Sequence, residues 1–211
     1  MSGSELRPPS TYAADNAALD QRARDVLDCW FGAPGSATYG HDRKIWFRRK
    51  TAFDTMLRER FGVLLDPAQR GELDGWADTP LGALALVIVL DQFSRNCHRG
   101  SADAFAFDAH ALKIARQMVA SGADQQLPDH FHRAFAYMPF EHDESMDSQR
   151  EALRLFKPFE AQPACASYYR SAVQHAAIIE RFGRFPHRNA LLGRVSTEEE
   201  REFLRRPGSS F

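Results

Sequence analysis

Leu81-Gly-Ala-Leu-Ala-Leu-Val-Ile-Val-Leu90, running on into Asp91-Gln-Phe-Ser-Arg-Asn96, is the stretch on which the fold turns. A helix over 81–93 is apolar nearly all round, so it lies in the middle of the protein and other elements must cover it. The ten residues of the apolar run are half the ~20 that a membrane span needs, so this is a buried helix and not a transmembrane one. Thr79-Pro80 supplies its start, an N-cap followed by proline at the first helical position. At its far end five of six residues are polar, and Asn96 is placed to take a left-handed cap conformation.

Upstream, Gln21 to Phe31 places Ala23, Val26, Leu27, Trp30 and Phe31 at helical spacing, and Gly32 with Pro34 stops it. Asp42 is read as the cap of a second helix carrying Trp46, Phe47, Phe53, Leu57 and Phe61, antiparallel to the first. Asp66-Pro67 predicts a short helix to about Ala77. Downstream, Ser101 caps a helix over 102–120 with Gly122 as its stop, and Pro128 opens one that Pro139 ends. An acidic turn over 140–149 leads into a helix through Phe156. Pro163 opens a long helix to Phe182, with Gly183 as its C′ residue. Ser196 with Glu199 and Thr197 with Glu200 offer two overlapping capping boxes for a last helix through Leu204. No run alternates long enough to be a strand. The fold class is therefore all-α, with about 8–10 helices as antiparallel hairpins in a repeat-like superhelix or a compact bundle. Residues 1–16, without an apolar signal core, are predicted to be a disordered tail, and 17–211 a single all-α domain.

The charge balance excludes some partners. With 27 Lys+Arg against 28 Asp+Glu in 211 residues, the net charge of −1 gives no field that draws nucleic acid or an anionic membrane. Cys29, Cys97 and Cys165 are odd in number and far apart, which argues against disulfides and for a cytoplasmic protein.

Chemistry concentrates in Arg181-Phe-Gly-Arg-Phe-Pro-His-Arg-Asn-Ala-Leu-Leu-Gly-Arg194. A core segment tolerates Arg184, His187 and Arg188 only if each has a partner, and Asp91, Glu141, His142, Asp143 and Glu144 supply candidates. Asp91, Arg95, Arg184, His187 and Arg188 are the candidate ligand-binding residues, suited to a small anion or a peptide end. The same basic groups could instead neutralise Glu141, Asp143 and Glu144 across a groove. Glu141, His142 and His187 are the candidates for acid–base chemistry. No metal or cofactor motif is present, and His175, on one face with Ile178, Ile179 and Phe182, reads as a core histidine. Arg95, Glu141, His142, Arg184, His187 and Arg188 are expected to share one partly enclosed site walled by Phe93, Phe140 and Phe185. The leading reading is a groove that binds a small anionic ligand or the acidic end of a peptide. The alternatives are a hydrolase-type enzyme in the same groove and a structural protein-interaction module; oligomeric state is not legible.

Four motifs, Val-Leu-Asp-x-Trp-Phe-Gly at 26–32, Leu-Asp-Gln-Phe-x-Arg-Asn at 90–96, Met-Pro-Phe-Glu-His at 138–142 and Phe-Gly-Arg-Phe-Pro-His-Arg-Asn at 182–189, carry a resemblance. From roughly residue 24 to 204 the chain resembles the uncharacterised domain-of-unknown-function 924 family. The resemblance implies an all-α, tetratricopeptide-like fold with no established activity. Asp143 departs from the family's pattern, which often has Ser after the Glu-His pair.

Overall fold

The buried run forms helix α4 (Pro80–Val87), and Leu84 through Leu90 are wholly buried in the computed structural model, which describes residues 19–209. The tail expected over residues 1–16 lies outside the described residues. Among the described residues there is no strand, and the helices are α1 (Gln21–Phe31), α2 (Thr51–Phe61), α3 (Leu65–Gln69), α4, α5 (Ser94–Cys97) and α6 (Asp108–Ser121). They continue with α7 (His130–His142), α8 (Met146–Phe156), α9 (Ala166–Phe182) and α10 (Glu198–Leu204). This is an all-α bundle: α1, α6 and α7 pack directly on α4, and α8 and α9 form a pair outside α7. Each Leu, Ile or Val so enclosed contributes about 1.5–3 kcal/mol of burial. Thr79 caps α4 as expected, its Oγ1 accepting from the Gly82 N–H at 3.2 Å.

The start of α4 explains Gly82. A Cβ there would come within 2.1 Å of the Trp76 carbonyl oxygen, so the turn before the helix closes over a missing side chain.

Past Val87 the helix does not end but widens. Ile88–Phe93 is a π-helix, every residue of it buried, and α5 follows without a break. The Ser94 N–H donates to the Val89 carbonyl, five residues back, which leaves nearby carbonyls short of amide donors. Side chains supply them: Ser94 Oγ donates to Leu90 O at 2.6 Å and Arg95 Nη1 donates to Asp91 O at 2.8 Å. Asn96 therefore stays inside the helix instead of taking the left-handed cap, and its amide donates to Asp54 Oδ1 at 2.7 Å.

Several boundaries differ from the sequence reading, each for a tertiary reason. The second helix starts at Thr51, not after Asp42. Residues before it serve the free carbonyls at the end of α1: Arg43 donates to Cys29 O and Trp46 Nε1 donates to Trp30 O at 2.9 Å. Around Pro67 the α-helix stops at Gln69, with a separate 3₁₀ turn over Asp74–Asp78. Ser101 caps only a 3₁₀ turn, Ala102–Phe105, before α6 begins. Pro139 lies inside α7, where burial on all sides of Met138–Glu141 outweighs the one lost hydrogen bond. The long helix starts at Ala166, three residues after Pro163. Of the two capping boxes only Thr197–Glu200 forms, because Glu199 turns outward to Arg181.

Candidate functional site

The C-terminal end of the π segment, the end of α7, the middle of α9 and the 3₁₀ turn Pro186–Arg188 converge on a cavity of about 680 Å³. Arg95, Glu141, His142, His187 and Arg188 line it, and Asp91 stands wholly buried behind them. Gly183, in the left-handed conformation, ends α9 and turns the chain so that Phe185 and Arg188 reach back to this cavity.

Asp91 organises the floor. Its Oδ1 lies 2.7 Å from His142 Nδ1 and 3.0 Å from Arg95 Nη1, and its Oδ2 accepts from Gln92 Nε2 at 2.6 Å. Burial pushes the carboxyl pKa up, but the charge of Arg95 and the hydrogen bonds from His142 and Gln92 outweigh it and hold it below the usual carboxylate range. An ionised carboxylate only accepts, so Nδ1 of His142 carries the proton and Nε2 keeps its lone pair. Burial, against the pull of Asp91, keeps the His142 pKa below that of an ordinary histidine.

Arg95 is held by two carboxylates. Beyond Asp91 it forms a bidentate pair with Asp108 at 2.9 and 3.0 Å. Arg188 reaches the same Asp108 at 3.3 Å and lies between two rings, 4.7 Å from the centroid of Phe105 and 4.6 Å from that of Phe185. It is 6% exposed, and its Nε has no hydrogen-bond partner among the described residues. Burial and then the charge of Arg95 push its pKa down to about 10. His187, half-buried and next to Arg188, is pushed down to about 4 by desolvation and then by the charge of Arg188.

Glu141 is 4% exposed. Both of its close contacts fall on one oxygen: Oε1 accepts from Ser171 Oγ at 2.6 Å and lies 2.8 Å from His175 Nδ1. Apolar area comes from Trp46, Phe47, Phe105, Met138 and Leu191, while Arg48 and Arg49 are exposed at the mouth.

Two parts of the sequence expectation do not meet here. Arg184 is outside the cavity, paired with Glu200 at 2.6 and 2.8 Å and bonded to the Val195 carbonyl. The alternative in which these basic residues neutralise the acidic turn meets other pairings: Glu144 pairs with Arg194 and accepts the Phe185 N–H, and Asp143 accepts from Ser148. Of the expected aromatic wall, Phe185 packs on Arg188 and His175, whereas the face beside it comes from Phe105. Sequence reading missed Asp108 and Ser171, since an acid at a helix start and a serine in mid-helix carry no local signal. His175, read as a core histidine, is buried, and its Nδ1 lies 2.8 Å from Glu141 Oε1.

Fold and site define an all-helical protein with a buried cavity of arginines, histidines and carboxylates. Residues 26–208 match the model of the family described as "Bacterial protein of unknown function (DUF924)", and the chain belongs to that family. It is similar to a solved structure of a protein of unknown function from Agrobacterium tumefaciens: 39% identity, 86% of this chain and 96% of that chain covered, TM-score 0.75. No functionally curated protein matches it. Among the described residues no helix is long and apolar enough to cross a membrane, and no cluster of three or more His, Cys, Asp or Glu could hold a metal ion.

Proposed function

We propose that the cavity binds a small organic anion, or the acidic end of a peptide, with Arg188 as the principal contact and His187 and Arg95 beside it. What carries this reading is Arg188: a buried guanidinium that has only a share in one carboxylate and an Nε with no partner. Leaving such a group unsatisfied costs several kcal/mol, and a bound anion removes that cost. The Tyr168 hydroxyl, also buried on the cavity wall without a partner among the described residues, is a second donor for the same ligand. Arg48 and Arg49 at the mouth suit the attraction of an anion from solution. Free, mostly buried cysteines suit a reducing compartment, the cytoplasm. The test is calorimetric titration with 3-phenylpropanoate and inorganic phosphate. Binding that Arg188→Met weakens at least about tenfold supports the site; equal binding by the variant removes Arg188 from it.

A second reading has its own observation. In the Asp91–His142 pair the buried carboxylate fixes the imidazole so that Nε2 is a base on the cavity side, which is the arrangement a hydrolase-type enzyme needs. Turnover of carboxylate- or phosphate-bearing esters that is abolished in His142→Gln, with anion binding retained, would establish it.

A further inference from the structure

Resting on the anion site just proposed, we infer that the ligand is a zwitterion, an amino acid or a short amino-acid derivative with a free amine, whose acid group meets Arg188 and whose ammonium meets Glu141. The argument begins with charge. The inner cluster holds two guanidiniums, Arg95 and Arg188, against three carboxylates, Asp91, Asp108 and Glu141. Burial disfavours the charged forms of His142 and His187, so neither tips this balance towards positive. A bare anion therefore finds a strong local donor in Arg188 but no surplus of positive charge within the inner cluster, since Arg48 and Arg49 lie exposed at the mouth, whereas a ligand that carries its own cation leaves the inner balance unchanged.

The unused atoms are of both kinds. On the donor side, Arg188 keeps Nε without a partner. On the acceptor side, both close contacts of Glu141 fall on Oε1, leaving Oε2 without a partner among the described residues, and His142 has Nδ1 committed to Asp91 while Nε2 accepts from no donor among the described residues. Glu141 and His142 line the same cavity as Arg188. One ring links the two poles: Phe185 stands with its ring centroid 5.4 Å from the His175 ring, which touches Glu141, and 4.6 Å from the Arg188 guanidinium. An ammonium donates only and so suits Oε2 and Nε2, whereas an ionised carboxylate has no proton to give either acceptor. Met138, Phe47 and Leu191 then hold an apolar side chain.

The experiment is calorimetric titration of the intact protein at neutral pH with four probes: L-phenylalanine, glycyl-phenylalanine, 3-phenylpropanoate and 2-phenylethylamine. One zwitterion is expected to bind at least about tenfold more tightly than both singly charged probes, an advantage that Glu141→Gln removes while 3-phenylpropanoate binding persists. If 3-phenylpropanoate binds as tightly as the zwitterions, the inference falls and the anion site stands. Binding by none of the four overturns the anion site too. A zwitterion preference that survives in folded Glu141→Gln overturns the role of Glu141. Should that variant not fold, the four-probe comparison on the natural protein still decides.

Discussion

Arg184 grips Glu200 through two hydrogen bonds of 2.6 and 2.8 Å, tying the turn after α9 to the first turn of α10. Glu200 also accepts the Thr197 N–H and closes the capping box, so one carboxylate holds the joint from both sides. Arg184→Ala is expected to lower the melting temperature and expose the Phe182–Phe203 contact to solvent while leaving cavity ligands bound as before. Loss of ligand affinity with unchanged stability would place Arg184 in the site after all.

Arg188 should behave in the opposite way. Its removal strands no carboxylate, because Asp108 keeps its bidentate pair with Arg95. Arg188→Met keeps the packing against Phe105 and Phe185 and removes a like charge from Arg95. Stability in urea is expected to stay within about 1 kcal/mol of the natural protein, or to rise. A loss of several kcal/mol would mean that Arg188 holds the helices together and does not wait for a ligand.

Asp91→Asn tests the floor. The change leaves Arg95 and His142 without their shared, fully buried counter-charge and is expected to cost about 3 kcal/mol or more in urea unfolding. A cost under about 1 kcal/mol would show that Asp108 alone satisfies Arg95.

The pH dependence follows from His187, whose pKa is held down to about 4 in the folded chain, below the ~6.5 of an ordinary histidine. The unfolded chain takes up this proton first as pH falls, so the contribution is fully present above the unfolded pKa and is lost down to pH ~4, up to ~3 kcal/mol. Carboxylates such as Glu200, lowered to about 2, act mainly below this window. Urea titrations through the upper part of the window should show stability falling with pH, and His187→Asn should flatten the slope. An unchanged slope in the variant would assign it elsewhere.

Gly82→Ala should destabilise the protein even though alanine is the better helix former by ~1 kcal/mol. The added methyl meets the Trp76 carbonyl and Thr79 Oγ1, and repacking that turn is expected to cost about 2 kcal/mol net. A stabilised variant would show that the turn moves freely.

Much of the fold is legible because its signals are local. The apolar circumference of Leu81–Leu90, the Thr79-Pro80 start, Gly122, Gly183 and the Thr197 box each act within one helical turn, and the helices they imply are present. The failures involve partners distant in the chain. Nothing near Trp46 announces that its indole will cap α1, and nothing near Pro139 announces that α7 will be enclosed there. At the cavity the same limit separates Arg184 from Arg188. They lie four residues apart in a single motif, and only the position of Glu200 and Asp108 in space sends one outward and the other inward.

The π turn at Ile88–Phe93 has a further consequence, for the evolution of the site. Such a turn accommodates about one residue more than an α-helix of the same rise, and one residue corresponds to ~100° of helical rotation. Deleting a single residue there would restore an ordinary helix and swing everything after it by more than a quarter turn, taking Arg95 from Asp108 and Asn96 from Asp54 together. The chemistry of the cavity is thus keyed to the length of this helix as well as to its side chains, since one deletion would undo two separate polar contacts at once.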